Sequence, residues 1–192
     1  PFHGRHVGRP VAPRVVLGLG RVAVPPPAGP PAGAARYARV AALPADLDQL
    51  AARDDHFLAA RQRLERGARQ ALADAGVPPA AIETFPVPGA FELAQVAARL
   101  AESGNWAAVV CLVCLIRGET PHFEFIAEAT ANAVLRAAQE TGVPVTFGVL
   151  TTNTADEAIA RAGDGESNKG REAATAALDM ARLYERIDRE SP

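Results

Sequence analysis

From residue 36 onward the apolar positions alternate between two spacings. Short continuous apolar runs are the signature of buried strands, and stripes recurring every three to four residues are the signature of amphipathic helices. Residues 37–43 form a first strand candidate, ended by Pro44. Residues 56–75 carry Phe57, Ala60, Leu64, Ala68 and Leu72 on one helical stripe, with Gly76 as the stop. A short strand at 82–85 precedes a helix at 91–103, closed by Gly104. Residues 107–116 are apolar throughout, as in a strand covered on both faces. A helix at 123–140 closed by Gly142, a strand at 145–150 and a last helix at 170–187 follow. Thr154 and Glu157 form a capping box that opens a short helix ended by Gly163. Strands alternating with helices imply parallel pairing and right-handed crossovers. The expected fold is therefore α/β: a three-layer α/β/α sandwich around a four-stranded parallel sheet.

The first 34 residues depart from this pattern. No acid precedes Asp46, and residues 25–33 are dominated by proline and glycine, which support neither helix nor sheet ladder. Residues 1–34 are expected to be a flexible extension, and 35–188 a single domain. The leader is Arg-rich like a transit peptide but contains no serine, and its apolar stretch 15–24 is too short to span a bilayer. A net charge of −2 gives no general case for nucleic acid or an anionic membrane as partner.

Cys111 and Cys114 have the spacing of a redox or metal pair. Inside a strand, however, positions i and i+3 point to opposite faces, so the two sulfurs diverge. Core packing in a reducing, cytoplasmic setting is the better reading.

In an open parallel sheet the ligand lies outside the carboxyl ends of the strands, which selects loops 44–56, 86–90, 117–122 and 151–153. The segment Arg117-Gly118-Glu119-Thr120-Pro121-His122 offers amides at a helix mouth, where phosphate is favoured. Locally, Thr120 fits a plain N-cap equally well. His122 stands where it can move protons near neutral pH, though a single histidine is more often structural or simply exposed. Pro86-Val87-Pro88-Gly89-Ala90-Phe91-Glu92 makes a stiff loop whose last carboxylate suits a polyol or the helix dipole. Phe147 fits the core or an aromatic ligand. Lys169, the sole lysine beside nineteen arginines, is either a chance survivor or a phosphate ligand.

Taken together, these blocks resemble a known family. Val87–Leu93, Leu115–Phe125, Phe147–Thr152, Arg161-Ala162-Gly163 and Asn168-Lys169-Gly170 through Met180 match, in order, the motifs of lumazine synthases. The resemblance covers residues 36–187 and is densest over 86–180. It implies a flavodoxin-like fold, pentamers or larger hollow shells, and no metal or organic cofactor. It also implies condensation of 5-amino-6-(D-ribitylamino)uracil with 3,4-dihydroxy-2-butanone 4-phosphate. By position, His122 takes the acid/base role. Glu119, Thr120, Arg161 (from a neighbouring subunit) and Lys169 fall at the phosphate. Ala90, Phe91 and Glu92 meet the ribityl chain, and Cys114, Leu115, Ile116 and Phe147 the pyrimidine.

Two departures from the family pattern stand out. The connection at 44–57 is longer and lacks the usual aromatic segment, leaving His56 or Phe57 as the candidate ring. Val113 replaces a usual glycine and adds bulk near the pyrimidine site. They keep open a non-catalytic paralogue that binds lumazines or flavins, or builds a shell. A generic monomeric phosphate-binding module is a third reading.

Overall fold

A computed structural model describes residues 15–20 and 55–190, with side chains described from residue 58. Four strands, β1 (Val15–Gly20), β2 (Ile82–Val87), β3 (Ala108–Ile116) and β4 (Val145–Thr152), pair in the order β2-β1-β3-β4. All the pairings are parallel, with Val15 of β1 level with both Ile82 and Ala108. Among the described residues, five α-helices connect or follow them: α1 (Asp55–Asp74), α2 (Ala90–Glu102), α3 (His122–Thr141), α4 (Ala155–Arg161) and α5 (Lys169–Glu190). The α/β class and the parallel sheet are those expected from the alternation.

The first strand is not the expected one. Val15–Gly20, inside the stretch assigned to an extension, forms β1. Residues 37–43 lie outside the described residues. Val15–Gly20 is a short apolar run broken by two glycines, and its non-local pairing with β2 and β3 is what makes it a strand. Residues 21–54, which include most of the expected loop 44–56, also lie outside the described residues.

Strand alternation divides the core. Val109, Cys111 and Val113 of β3 face α2 and α3, packing with Leu93, Ala97 and Val134. Ala108, Val110 and Leu112 face α1 and α5, packing with Leu72, Ala174 and Ala177. Cys114 continues that second side among Ala60, Leu64, Leu150 and Ala162. Both cysteines are buried as thiols, and they diverge as expected. Burial pushes the Cys111 thiol up to about 12, so it stays protonated. Phe85 meets Trp106 edge-on, with ring centroids 5.7 Å apart, and seals the β2 end of the core.

Two glycines set the α1–α5 spacing. A Cβ on Gly170 would lie 2.0 Å from the Leu64 carbonyl oxygen, and one on Gly67 2.1 Å from Asn168 Oδ1. Arg171 adds an ion pair to Asp74 at 3.0 Å. Among the described residues, no helix is long and apolar enough to cross a membrane.

Candidate functional site

The expected site residues fall into two separate clefts. The first, of about 510 Å³, opens at the carboxyl ends of β2 and β3, where the topology places a ligand. Ala90, Phe91 and Glu92 form one wall, Leu115 and Ile116 the floor, and Thr120 and His122 the other wall. The two helices that start here, α2 and α3, have Gly89 and Pro121 at their N-caps, and neither receives a side-chain capping bond. Thr120 is thus not a plain cap. Each helix turns its first-turn amides and the positive end of its dipole toward the cleft, which suits an anion or a polyol oxygen. Thr130, fully buried two turns into α3, donates to the Ala90 carbonyl at 3.3 Å and ties the mouth of α2 to the body of α3.

The loop before α3 is bolted down by Arg117. Its Nε donates to Asn153 Oδ1 at 2.9 Å, its guanidinium pairs with Glu124 and lies 4.5 Å over the Phe123 ring, and its amide donates to the Thr152 carbonyl. The Arg117 hydrogen bond holds the Glu124 carboxyl below the usual carboxylate range. These ties fix the first turn of α3, and with it the backbone of His122. Motif reading named Arg117 only as part of its loop; its anchoring role depends on Asn153, which is distant in sequence.

The second cleft, of about 370 Å³, runs along the outer edge of β4 and is lined by Phe147, Thr151, Arg161, Lys169 and Glu172. Phe147 is 42 % exposed, unusual for a phenylalanine in a strand. Arg161 ends α4 and is exposed, donating to the carbonyl of Glu157 at 3.3 Å. Lys169 opens α5 and is paired with both carboxylate oxygens of Glu172, at 2.8 and 2.7 Å. Helical spacing of three makes this pairing readable from sequence, yet Glu172 was not among the expected site residues.

Within one chain the expected phosphate set therefore divides, with Thr120 in the first cleft and Arg161 and Lys169 in the second. Glu119 lines neither cleft and is exposed. Cys114 is buried under α1 and α4 and does not reach the cleft that Leu115 lines. Val113 likewise packs into the α2–α3 core, so its bulk is not at the site. The side chains of His56 and Phe57 lie outside the described residues.

A parallel sheet with an anion-suited cleft at its strand ends and cations along one open edge defines an α/β protein built for a small phosphorylated ligand. Comparison with known proteins narrows this class. Residues 56–185 match the profile of the 6,7-dimethyl-8-ribityllumazine synthases, and the chain belongs to that family. It is 46 % identical over 127 residues to the 6,7-dimethyl-8-ribityllumazine synthase of Deinococcus radiodurans, covering 66 % of this chain and 82 % of that one. Identity to the enzyme of Thermus thermophilus is 49 % over 126 residues, with 66 % and 80 % covered. For 6,7-dimethyl-8-ribityllumazine synthase 1 of Caulobacter vibrioides it is 48 % over 124 residues, with 65 % and 81 % covered.

Proposed function

We propose that the protein condenses 5-amino-6-(D-ribitylamino)uracil with 3,4-dihydroxy-2-butanone 4-phosphate to 6,7-dimethyl-8-ribityllumazine, with loss of phosphate and water, late in riboflavin biosynthesis. The observation that carries this reading is His122, at the uncapped mouth of α3, facing Glu92 and the uncapped mouth of α2 across one cleft. An amine and a ketone react without covalent help from the protein, so the requirements are close approach and proton transfer. His122 moves the protons of imine formation and phosphate elimination. The Leu115–Ile116 floor takes the flat pyrimidine, while Glu92 and the amides beside Ala90 and Phe91 take ribityl hydroxyls. Thr120 and the α3 amides face the phosphate-bearing ketone, with Glu119 at the outer rim of that loop.

The site is completed by a second copy of the chain. Phe147, Arg161 and Lys169 of one copy close over the first cleft of its neighbour, the aromatic ring toward the pyrimidine and the cations toward the phosphate. Support comes from the outward display of these three groups along an open sheet edge, and from the exposed apolar face of α3, where Phe125 is 70 % and Leu135 58 % exposed. The assembly is a homo-oligomer, a pentamer or a larger shell of pentamers. The chain fold is flavodoxin-like, a three-layer α/β/α sandwich, and the protein acts in the cytoplasm, in keeping with its buried thiols. Phe57, at the start of α1, is the proposed ring partner of the pyrimidine.

Purified full-length protein incubated with both substrates tests this reading. Lumazine absorbance and fluorescence should rise with enzyme concentration. A correctly assembled particle that binds lumazine without forming it would instead make the protein a binding or shell-forming paralogue.

A further inference from the structure

We infer that Asn168 is a positioning residue that sets the spacing of the two cations Arg161 and Lys169. The inference rests on the proposed reading of those cations as phosphate ligands. Asn168 is 3 % exposed, and its amide makes bonds in two directions. Nδ2 donates to the carbonyls of Ala162 (3.0 Å) and Gly163 (2.8 Å), the two residues after Arg161, and to that of Arg63 (3.1 Å) on α1. Oδ1 accepts from the amides of Gly170 (2.9 Å) and Arg171 (3.0 Å), capping the helix that Lys169 opens. One side chain thus joins the backbone behind the first cation to the backbone in front of the second, and fastens both to α1.

The chemistry requires an amide. A carboxylate keeps the acceptor but has no donor for three carbonyls, and a hydroxyl is too short to make both sets of bonds. The rest of the turn supplies little substitute. Residues 164–167 are held by the weaker bond from the Asn168 backbone amide to the Gly165 carbonyl at 3.3 Å and by the ion pair of the exposed Glu166 with Arg171 at 3.3 Å. Neither Arg161 nor Lys169 touches Asn168 through its side chain, so the influence runs through the backbone. Gly67 is the second half of the device: the three atoms nearest to a Cβ placed there all belong to Asn168, the closest at 2.1 Å. Its bare backbone is what lets the amide reach the interior of α1.

The test is Asn168→Ser, which retains a capping oxygen while losing the donors. The Michaelis constant for the phosphate-bearing ketone should rise about tenfold or more, with kcat and the constant for the pyrimidine within about twofold. Affinity for inorganic phosphate, measured by calorimetry on the full chain, should fall in parallel. A purely structural role would lower thermal stability and the active fraction but leave both constants unchanged, and that result would overturn the inference. Should the serine variant not fold, Gly67→Ala displaces the same amide from the α1 side and is expected to give the same split. If the wild type binds phosphate but forms no lumazine, the enzymatic reading fails, and the phosphate affinities alone decide the role of Asn168. A wild type that does neither overturns both.

Discussion

Replacing Gly67 by alanine sets two effects of opposite sign against each other. Gly67 lies in the interior of α1, where alanine is favoured over glycine by about 1 kcal/mol. Against this, the new Cβ would sit 2.1 Å from Asn168 Oδ1 and 2.4 Å from its Cγ, well inside any real contact. Asn168 is enclosed and cannot swing away without giving up its three donor bonds to Arg63, Ala162 and Gly163. Its two N–H groups, shared among the three carbonyls, are worth about 1–1.5 kcal/mol each, or up to about 3 kcal/mol together, which outweighs the gain in helix propensity. The expected outcome is a loss of about 2 kcal/mol, or roughly 4–8 °C in Tm for a chain of this size. Denaturant and thermal melts of four proteins test the argument: wild type, Gly67→Ala, Asn168→Ala and the double variant. In the Asn168→Ala background the obstacle is gone, so the same Gly67→Ala change should become stabilising, by up to about 1 kcal/mol. A reversal of sign between backgrounds is the signature of the contact. Stabilisation by Gly67→Ala in the wild-type background would refute the reasoning.

Three further outcomes are expected. His122→Ala should lower kcat by about 10²–10⁴-fold, the usual worth of general acid–base catalysis, while leaving particle size on a gel-filtration column unchanged; an unaltered rate removes His122 from the mechanism. Arg161→Ala should raise the Michaelis constant for the phosphate-bearing ketone by about tenfold or more, as expected for one charge-assisted bond, and a selective effect on the pyrimidine instead would reassign the second cleft. Acid should destabilise the fold through Glu124 and Asp74. Glu124 is depressed by the hydrogen bond from Arg117, and Asp74 by that from Gln70 and then by Arg171. A depressed carboxyl contributes stability that is present above its unfolded pKa and lost as pH falls through the lower folded value. Tm should therefore hold above about pH 5 and decline from there toward pH 3, and Arg117→Ala should flatten part of that decline.

The elements most legible in the sequence were those with strong local signals. β3 announced itself as an unbroken apolar run, and α1 and α3 were bounded by Gly76 and Gly142, both with positive φ. The capping box at Thr154 also formed, though Glu157 returns its bond to the Asn153 amide instead of that of Thr154. β1 was misplaced because Gly18, Gly20 and the neighbouring arginines and prolines weaken its strand signal, and its partners are distant in the chain. Cys114 was misassigned because it lies one residue inside the strand end, buried under α1 and α4, whereas Leu115 and Ile116 reach the cleft at the carboxyl end. The division of the expected phosphate ligands between two clefts was not readable at all. Motif spacing says which residues serve one ligand, but not whether a single chain brings them together.

That division makes hybrid complementation the most direct test of the account. His122→Ala damages the first cleft and Arg161→Ala the second, and each variant alone should be strongly impaired when the ketone is kept well below its Michaelis constant. Mixed by co-expression or by dissociation and reassembly, they should recover activity at neighbouring pairs in which one copy supplies an intact first cleft and the other an intact second. Random mixing predicts recovery of about one quarter of the wild-type rate, since a quarter of such pairs carry neither lesion. Hybrids no more active than the average of the two variants would contradict the account and place the whole site within one chain.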